Sequence, residues 1–416
     1  MSIFPAVRPA VTPAVRGAFE QSYGGGSVAL IKSLFAAGQQ GFWLPFTDFA
    51  SLSQDSAGTL PYTALEQPVG RVLDRSGRGN HASQPTSTAR GVVSARVNLL
   101  VNSELISAAP WSTASSGAIV AGTDVAFSAV GQYVSQGVST AAPVGSAFLG
   151  MAVLSGVGKV NLNIVRLFGG GSYEGVLSGD ITLTTTPTAY YLPYTIQNSG
   201  QIGVTLAVFS NSAAPVASAT VHKTSLVPST KASLPYQRVN TPTDYDAVGF
   251  PKSLSVQVDD FYTCGGGGST TGFYYSDVIR PMGGAGTRRV IWSDRSGNNG
   301  YELAINASDK LEFSAGNGTA ITTVASTVSA TVAEGKRYEV MDDGTNLSVQ
   351  IDGSAAVTVA RPVVTAGSPT ITLYRGASAF FFNGQATEPI YRAGPPPSAY
   401  EREVIRTYQM QKAGML

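Results

Sequence analysis

The sequence predicts a mostly β protein: two antiparallel jelly-roll β-sandwiches with a short helical N-terminal leader and a C-terminal helix. Composition is the first observation behind that class. Charged residues make up only 13% of the 416-residue chain and glycines number 47, a balance suited to short strands and many turns. Alternation is the second, in runs such as Val160-Asn-Leu-Asn-Ile-Val-Arg-Leu-Phe168 and Gln201-Ile-Gly-Val-Thr-Leu-Ala-Val-Phe209. The third is turn chemistry. Leu73-Asp-Arg-Ser-Gly-Arg-Gly-Asn-His-Ala82 follows an apolar run, and Ser293-Asp-Arg-Ser-Gly-Asn-Asn-Gly-Tyr301 echoes it.

Residues 1–41 form the leader. Thr12-Pro13 reads as an N-cap followed by proline at the first helical position. Ser27 caps a second segment with Val28, Ile31, Leu34 and Phe35 on one face, and Gly38 closes it. This leader has too little apolar area to fold alone, so it must dock, either on its own domain or on another protein as an anchor. From Phe42 to Val93 the chain holds two or three strands, Gly41-Phe-Trp-Leu-Pro-Phe46 and Val69-Gly-Arg-Val-Leu73 among them. So few strands cannot bury both faces of a sheet and need partners from elsewhere.

Residues 97–235 carry enough β-branched runs for a sandwich of their own. After Pro235 a second β-rich region continues to about Ala393. Its strands include Tyr301–Ile305, Tyr338–Met341 and Leu347–Ile351, with tight turns at Asp342-Asp-Gly and Asp352-Gly. The last element is a helix: Ser398 and Glu401 form a capping box, Tyr400, Val404 and Tyr408 share a face, and Gly414 ends it.

Several function classes are excluded or disfavoured at this level. A formal charge of +1 gives no electrostatic pull toward nucleic acid or anionic lipid. Cys264 is the only cysteine, so neither an intramolecular disulfide nor a cysteine-based zinc site can form. No apolar run approaches the ~18 residues of a membrane span, and the N-terminus lacks the pattern of a secretory signal. The glycine runs at 169–171, 265–268 and 283–286 lack the Lys-Ser/Thr of a phosphate loop.

The histidines, His81 and His222, have no nucleophile-elbow context. Acid pairs Asp259-Asp260 and Asp342-Asp343, with Glu302 and Glu312, could in principle hydrolyse a glycan. In strands, however, adjacent acids face opposite ways, and in turns they cap backbone N–H groups. Sugar binding needs an aromatic face with polar groups beside it. The candidates are Tyr274 and Tyr275, Tyr301 with Arg295 and Asn298, and Tyr191, against the alternative that strand aromatics are core.

Strand, Asp-Gly turn, strand and a glycine-flanked aromatic segment over 250–395 resemble the laminin-G and concanavalin A-like lectin family. The matching residues are Asn299-Gly-Tyr-Glu-Leu-Ala-Ile305, Leu347-Ser-Val-Gln-Ile-Asp-Gly353 and Phe381-Phe-Asn-Gly384. Phe42-Trp-Leu-Pro-Phe46 with the Asp74 turn resembles that family's opening strand and turn. The resemblance implies one discontinuous lectin-like domain, 42–96 plus 236–397, with 97–235 inserted and 398–416 as a terminal helix. Lectin-like sandwiches often hold calcium. The donors implied here are Asp294, Asn298 and Asn299, with an Asx-turn as the alternative use of Asp294; no other cofactor is expected.

Asn98-Leu-Leu-Val-Asn-Ser-Glu-Leu105 and Trp111-Ser-Thr resemble the start of carbohydrate-binding modules of the galactose-binding jelly-roll kind. The order of blocks from Gln54 to Ala82 and from Tyr236 to Asp246 resembles virion proteins of tailed bacteriophages and their prophages, although Val256-Gln-Val-Asp-Asp260 departs from their glycine-containing pattern.

The expectation is a non-enzymatic phage structural protein of the tail fibre, tail tip or baseplate. It would be assembled in the host cytoplasm, attached to the virion through residues 1–41, homotrimeric, and directed at host-surface glycan without nucleic-acid or membrane partners. The alternatives are a capsid decoration or head fibre protein, and a capsule-degrading glycosidase.

Overall fold

The computed structural model describes residues 26–415 except 114–117, 140–141, 169–172, 199–200, 211–216, 258, 283–284, 331–334, 353 and 377–380. The expected helix at Thr12-Pro13 lies outside the described residues. The mostly β class is observed: four antiparallel sheets dominate, as two facing pairs.

The outer pair is built by both ends of the chain. One nine-stranded sheet has Phe273–Pro281 and Lys336–Asp342 at its centre. It takes Val92–Ser94 beside Ser253–Val256, and Gly41–Trp43 beside Ile390–Ala393. The other nine-stranded sheet runs from Leu52–Ser53 through Arg71–Val72 and Ala82–Ser83 to Tyr262–Gly265, then Thr370–Leu373, Arg289–Ser293, Asn299–Ile305, Lys310–Asn317 and Ile321–Ser329. The early strands thus find their missing partners beyond residue 236. Between these sheets lies an aromatic core in which Phe273 makes edge contacts with Trp292, Tyr301 and Phe313.

The Asp74 turn closes this unit because its carboxylate serves four donors. Oδ1 accepts from the backbone N–H of Trp43 and Ser76, and Oδ2 from Ser76 Oγ and the Asn80 N–H. Asn80 Nδ2 in turn donates to the Gly41 carbonyl at 2.7 Å. Gly41 sits at φ +147°, where a Cβ would lie 2.1 Å from the Tyr391 carbonyl oxygen, so no other residue fits. Asp294 repeats the device, accepting from Tyr301 N–H and Gly268 N–H. The two echoed turns therefore staple one sandwich.

The first sheet's outer face is covered by the leader and the last helix. Residues 26–33 are helical, and Ile31, Leu34 and Phe35 pack with Ile405 and Tyr408 over Trp43, Tyr274 and Ile390. The described part of the leader is therefore docked on its own domain, the first of the two alternatives for it. The C-terminal helix, Ala399–Lys412, has the expected capping box at Ser398 and Glu401. Its buried face is Ile405, Tyr408, Gln409 and Met410, whereas Tyr400 is exposed, because the helix meets the sheet one residue off the expected stripe.

The inserted strands form a second, smaller pair of sheets with a core of their own. Tyr173–Leu177, Lys159–Phe168, Gln201–Ser210 and Tyr133–Val138 make one sheet, with Ile181–Thr182 also beside Lys159–Phe168. Thr188–Thr195, Ala147–Val157, Ala217–Pro228, Asp124–Phe127 and Ile119–Ala121 make the other. Two fully buried amides tie this unit to its flanks. Gln237 accepts from Val97 and Asn98 N–H and donates to the Ala95 and Asp246 carbonyls. Asn98 accepts from Leu100 and Leu226 N–H and donates to the Thr224 and Gln237 carbonyls. Every polar atom of both side chains is matched, as burial requires. Among the described residues no helix is long and apolar enough to cross a membrane.

Candidate functional site

The insert's first sheet presents a groove of about 570 Å³ on its outer face. Alternation builds it. Val134, Leu162, Ile164, Val204, Leu206 and Val208 point into the core, so the residues between them face outward. Register then sorts these into rows. Phe209 lies opposite Tyr133; Ala207 lies between Asn163 and Ser135; Thr205 lies between Val165 and Gly137. Small residues at Ala207 and Gly137 make the floor, and Pro110 and Ser112 form one rim.

The Tyr133 and Phe209 rings stack on each other at 4.8 Å with an interplanar angle of 25°, so an apolar stack borders the groove and each ring keeps its outer face and edge for contact. Among the described residues the Asn163 amide and the Ser135 and Thr205 hydroxyls have no hydrogen-bond partner within the protein. Among the described residues no charged one lines the groove. An apolar platform beside uncommitted amide and hydroxyl groups suits the C–H face and hydroxyls of a neutral sugar ring.

The residues expected from sequence do not assemble into one site. Tyr274, Tyr275 and Tyr301 are all 0% exposed and cannot stack on a ligand. Tyr275 and Tyr301 lie between the sheets, and Tyr274 lies beneath the helices. Their hydroxyls are spent internally, on Asp277, Asp342 and Glu339 respectively. Tyr191 is 40% exposed, but on the insert's other sheet. Arg295 is held by Glu302 and the Gly297 carbonyl, and Asn298 donates to the Thr319 carbonyl. The groove residues Asn163, Thr205 and Phe209 sat in strands recognised from their alternation. The signal that could have singled them out is that their outward positions hold small and polar residues with one aromatic.

Of the three expected calcium donors, Asn299 keeps a buried Oδ1 without a partner among the described residues, whereas Asp294 is spent. Asp294 is 1% exposed with both oxygens held by backbone N–H groups, which is the Asx-turn use. It is the only carboxylate in the expected set, whereas calcium takes six to eight oxygens. Among the described residues no three His, Cys, Asp or Glu side chains cluster for a metal.

The other acids and histidines are committed as well. Glu302 and Glu312 pair with Arg288, Asp342 with Arg361, and Asp260 accepts from Gln257 N–H. Asp259 stands at φ +84°, taking a left-handed turn position where glycine is usual. His81 Nδ1 accepts from Asp74 N–H. His222 Nε2 lies 2.8 Å from Ser155 Oγ, a pairing that no sequence spacing suggests. Cys264 is buried, and loss of solvent pushes its thiol well up, so it is not a nucleophile.

No family model matches the chain, and no curated protein does. Among solved structures it is similar to the binding domain of botulinum neurotoxin DC in complex with rat synaptotagmin II, at 15% identity and TM-score 0.30, covering 41% of this chain and 44% of that one. It is similar to the botulinum neurotoxin serotype D ligand binding domain in complex with N-acetylneuraminic acid, at 10% identity and TM-score 0.32, covering 44% and 50%. It is also similar to the CBM40 of Ruminococcus gnavus IT-sialidase bound to α2,3-sialyllactose, at 11% identity and TM-score 0.30, covering 37% and 95%. The chain thus spans about half or less of the neurotoxin structures it matches.

Proposed function

We propose that this chain is a non-enzymatic glycan-binding structural protein, and that the insert's groove holds the sugar. The observation that carries the reading is the stacked Tyr133–Phe209 wall beside the unpaired Asn163 amide in an uncharged, half-open depression. A glycan-array screen of the full chain tests it. Neutral oligosaccharides are expected as hits, and Phe209→Ala is expected to abolish them.

The virion assignment is a further part of the proposal, supported by the sequence blocks Gln54–Ala82 and Tyr236–Asp246. In this reading the protein is a homotrimer on the tail fibre, tail tip or baseplate, assembled in the host cytoplasm. Immunogold labelling of purified particles is expected to mark tails. Labelled heads support the capsid-decoration alternative, and unlabelled particles reject both. Sedimentation mass checks the trimer. The glycosidase alternative predicts reducing-end release that Glu302→Gln or Asp260→Asn removes; the ion pairs of Glu302 speak for a structural role instead.

A further inference from the structure

The lectin-like half carries a second depression of different chemistry. It measures about 320 Å³ on the outer face of the sheet holding the Asp294 turn, and Phe261, Arg295, Thr370, Thr372 and Arg375 line it. Arg375 rests against aromatic rings, its guanidinium carbon 4.7 Å from the Phe261 centroid and 5.4 Å from that of Phe381. Among the described residues it forms no ion pair and no side-chain hydrogen bond. Stacking fixes the plane of a guanidinium while leaving its in-plane N–H fork available.

The neighbouring groups match an anion. Arg295, though paired with Glu302, brings a second guanidinium whose Nε is buried without a partner. Thr370 and Thr372 are two apart on one strand and so face the same side; their hydroxyls have no protein partner among the described residues. Among the described residues the one acid lining the cleft, Asp294, is 1% exposed with both carboxylate oxygens taken by backbone N–H groups. The cleft therefore offers a free planar fork, two hydroxyls and an aromatic wall, where the insert's groove offers no charge at all.

We propose that this cleft binds a carboxylate-bearing sugar residue. Arg375 takes the carboxylate through two parallel N–H···O bonds, the geometry in which a guanidinium matches it. Thr370 and Thr372 meet ring hydroxyls, while Phe261 stays against the guanidinium and holds it in place. The inference does not need the insert's groove. The two sites would give one chain affinity for both neutral and acidic parts of a surface polysaccharide.

Calorimetric titration of the full chain with glucuronic acid, trigalacturonic acid, N-acetylneuraminic acid and neutral galactose tests it. At least one acid is expected to bind ten or more times tighter than galactose, more weakly at high salt. Arg375→Gln is expected to reduce that affinity at least tenfold and Arg375→Lys to keep part of it, while Phe209→Ala leaves it unchanged. Failure of the groove alone would instead show as neutral-sugar binding untouched by Phe209→Ala. Thermal melts check that Arg375→Gln folds; should it not, Thr372→Val serves, with a several-fold loss expected. No binding of any acid, equal binding of acids and galactose, or wild-type affinity in the folded variant would overturn the proposal. Equal competition by glucose 6-phosphate would overturn the carboxylate assignment.

Discussion

Asp277 sits in the interior with its side chain fully buried, and its replacement by asparagine should change how stability depends on pH. Its Oδ1 accepts from Glu388 N–H at 3.0 Å and Thr387 N–H at 3.4 Å, and Oδ2 lies 3.5 Å from the Tyr275 hydroxyl. Among the described residues no lysine or arginine pairs with it. Loss of solvent dominates and pushes its pKa from 3.8 up to about 8, against the backbone hydrogen bonds and with a further push from Glu388.

The native state therefore binds one more proton than the unfolded chain between those two values. The contribution is complete below pH 3.8 and is lost as pH rises through about 8. The slope in between is at most about 1.4 kcal/mol per pH unit, so from pH 5 to pH 7 the wild type should lose roughly 2–3 kcal/mol that Asp277→Asn does not. Asparagine mimics the protonated acid, since Oδ1 can still accept both N–H groups and Nδ2 can donate to Tyr275.

Acids that are not coupled to Asp277 titrate alike in both proteins and cancel in the difference, which leaves Asp277 and its neighbour Glu388. Urea unfolding read by tryptophan fluorescence at pH 5, 6 and 7 measures it, because Trp43 and Trp292 belong to the same sandwich as Asp277. Parallel pH profiles for the two proteins would show that Asp277 is not held protonated in the native state.

Three further outcomes are expected. Asn98→Ala leaves the Leu100 and Leu226 N–H groups and the Thr224 carbonyl without their partner in the interior, and should cost about 2–4 kcal/mol in urea unfolding of the insert, read by Trp111 fluorescence. Ser398→Ala removes the helix cap and should cost about 1 kcal/mol, seen as a lower denaturation midpoint with unchanged slope. Cys264 should resist a thiol reagent in the native protein and react once urea unfolds it; rapid native labelling would show the burial to be wrong.

Much of the fold was legible because alternation and turn chemistry are local. The Asp74 and Asp294 turns, the capping box at Ser398 and the strands around Asn163 and Phe209 all follow from neighbours in sequence. The need for distant partners was also readable, since strands at 41–94 could not bury two faces alone. The site was less legible. Tyr274, Tyr275 and Tyr301 lie in strands buried on both faces, where period-two patterning no longer marks which side meets solvent. The pairing of Phe209 with Tyr133 depends on register between strands 76 residues apart, which no local signal encodes. Arg375 was invisible for the same reason, because its partner Phe261 comes from another strand region.

Whether the Tyr133–Phe209 groove holds a sugar is decided by a crystal structure of the full chain with an array-selected neutral oligosaccharide. A pyranose ring is expected with its C–H face on the outer face of the Tyr133–Phe209 stack and a hydroxyl hydrogen-bonded to the Asn163 amide. Sugar density elsewhere on the protein, with this groove holding only solvent, would contradict it.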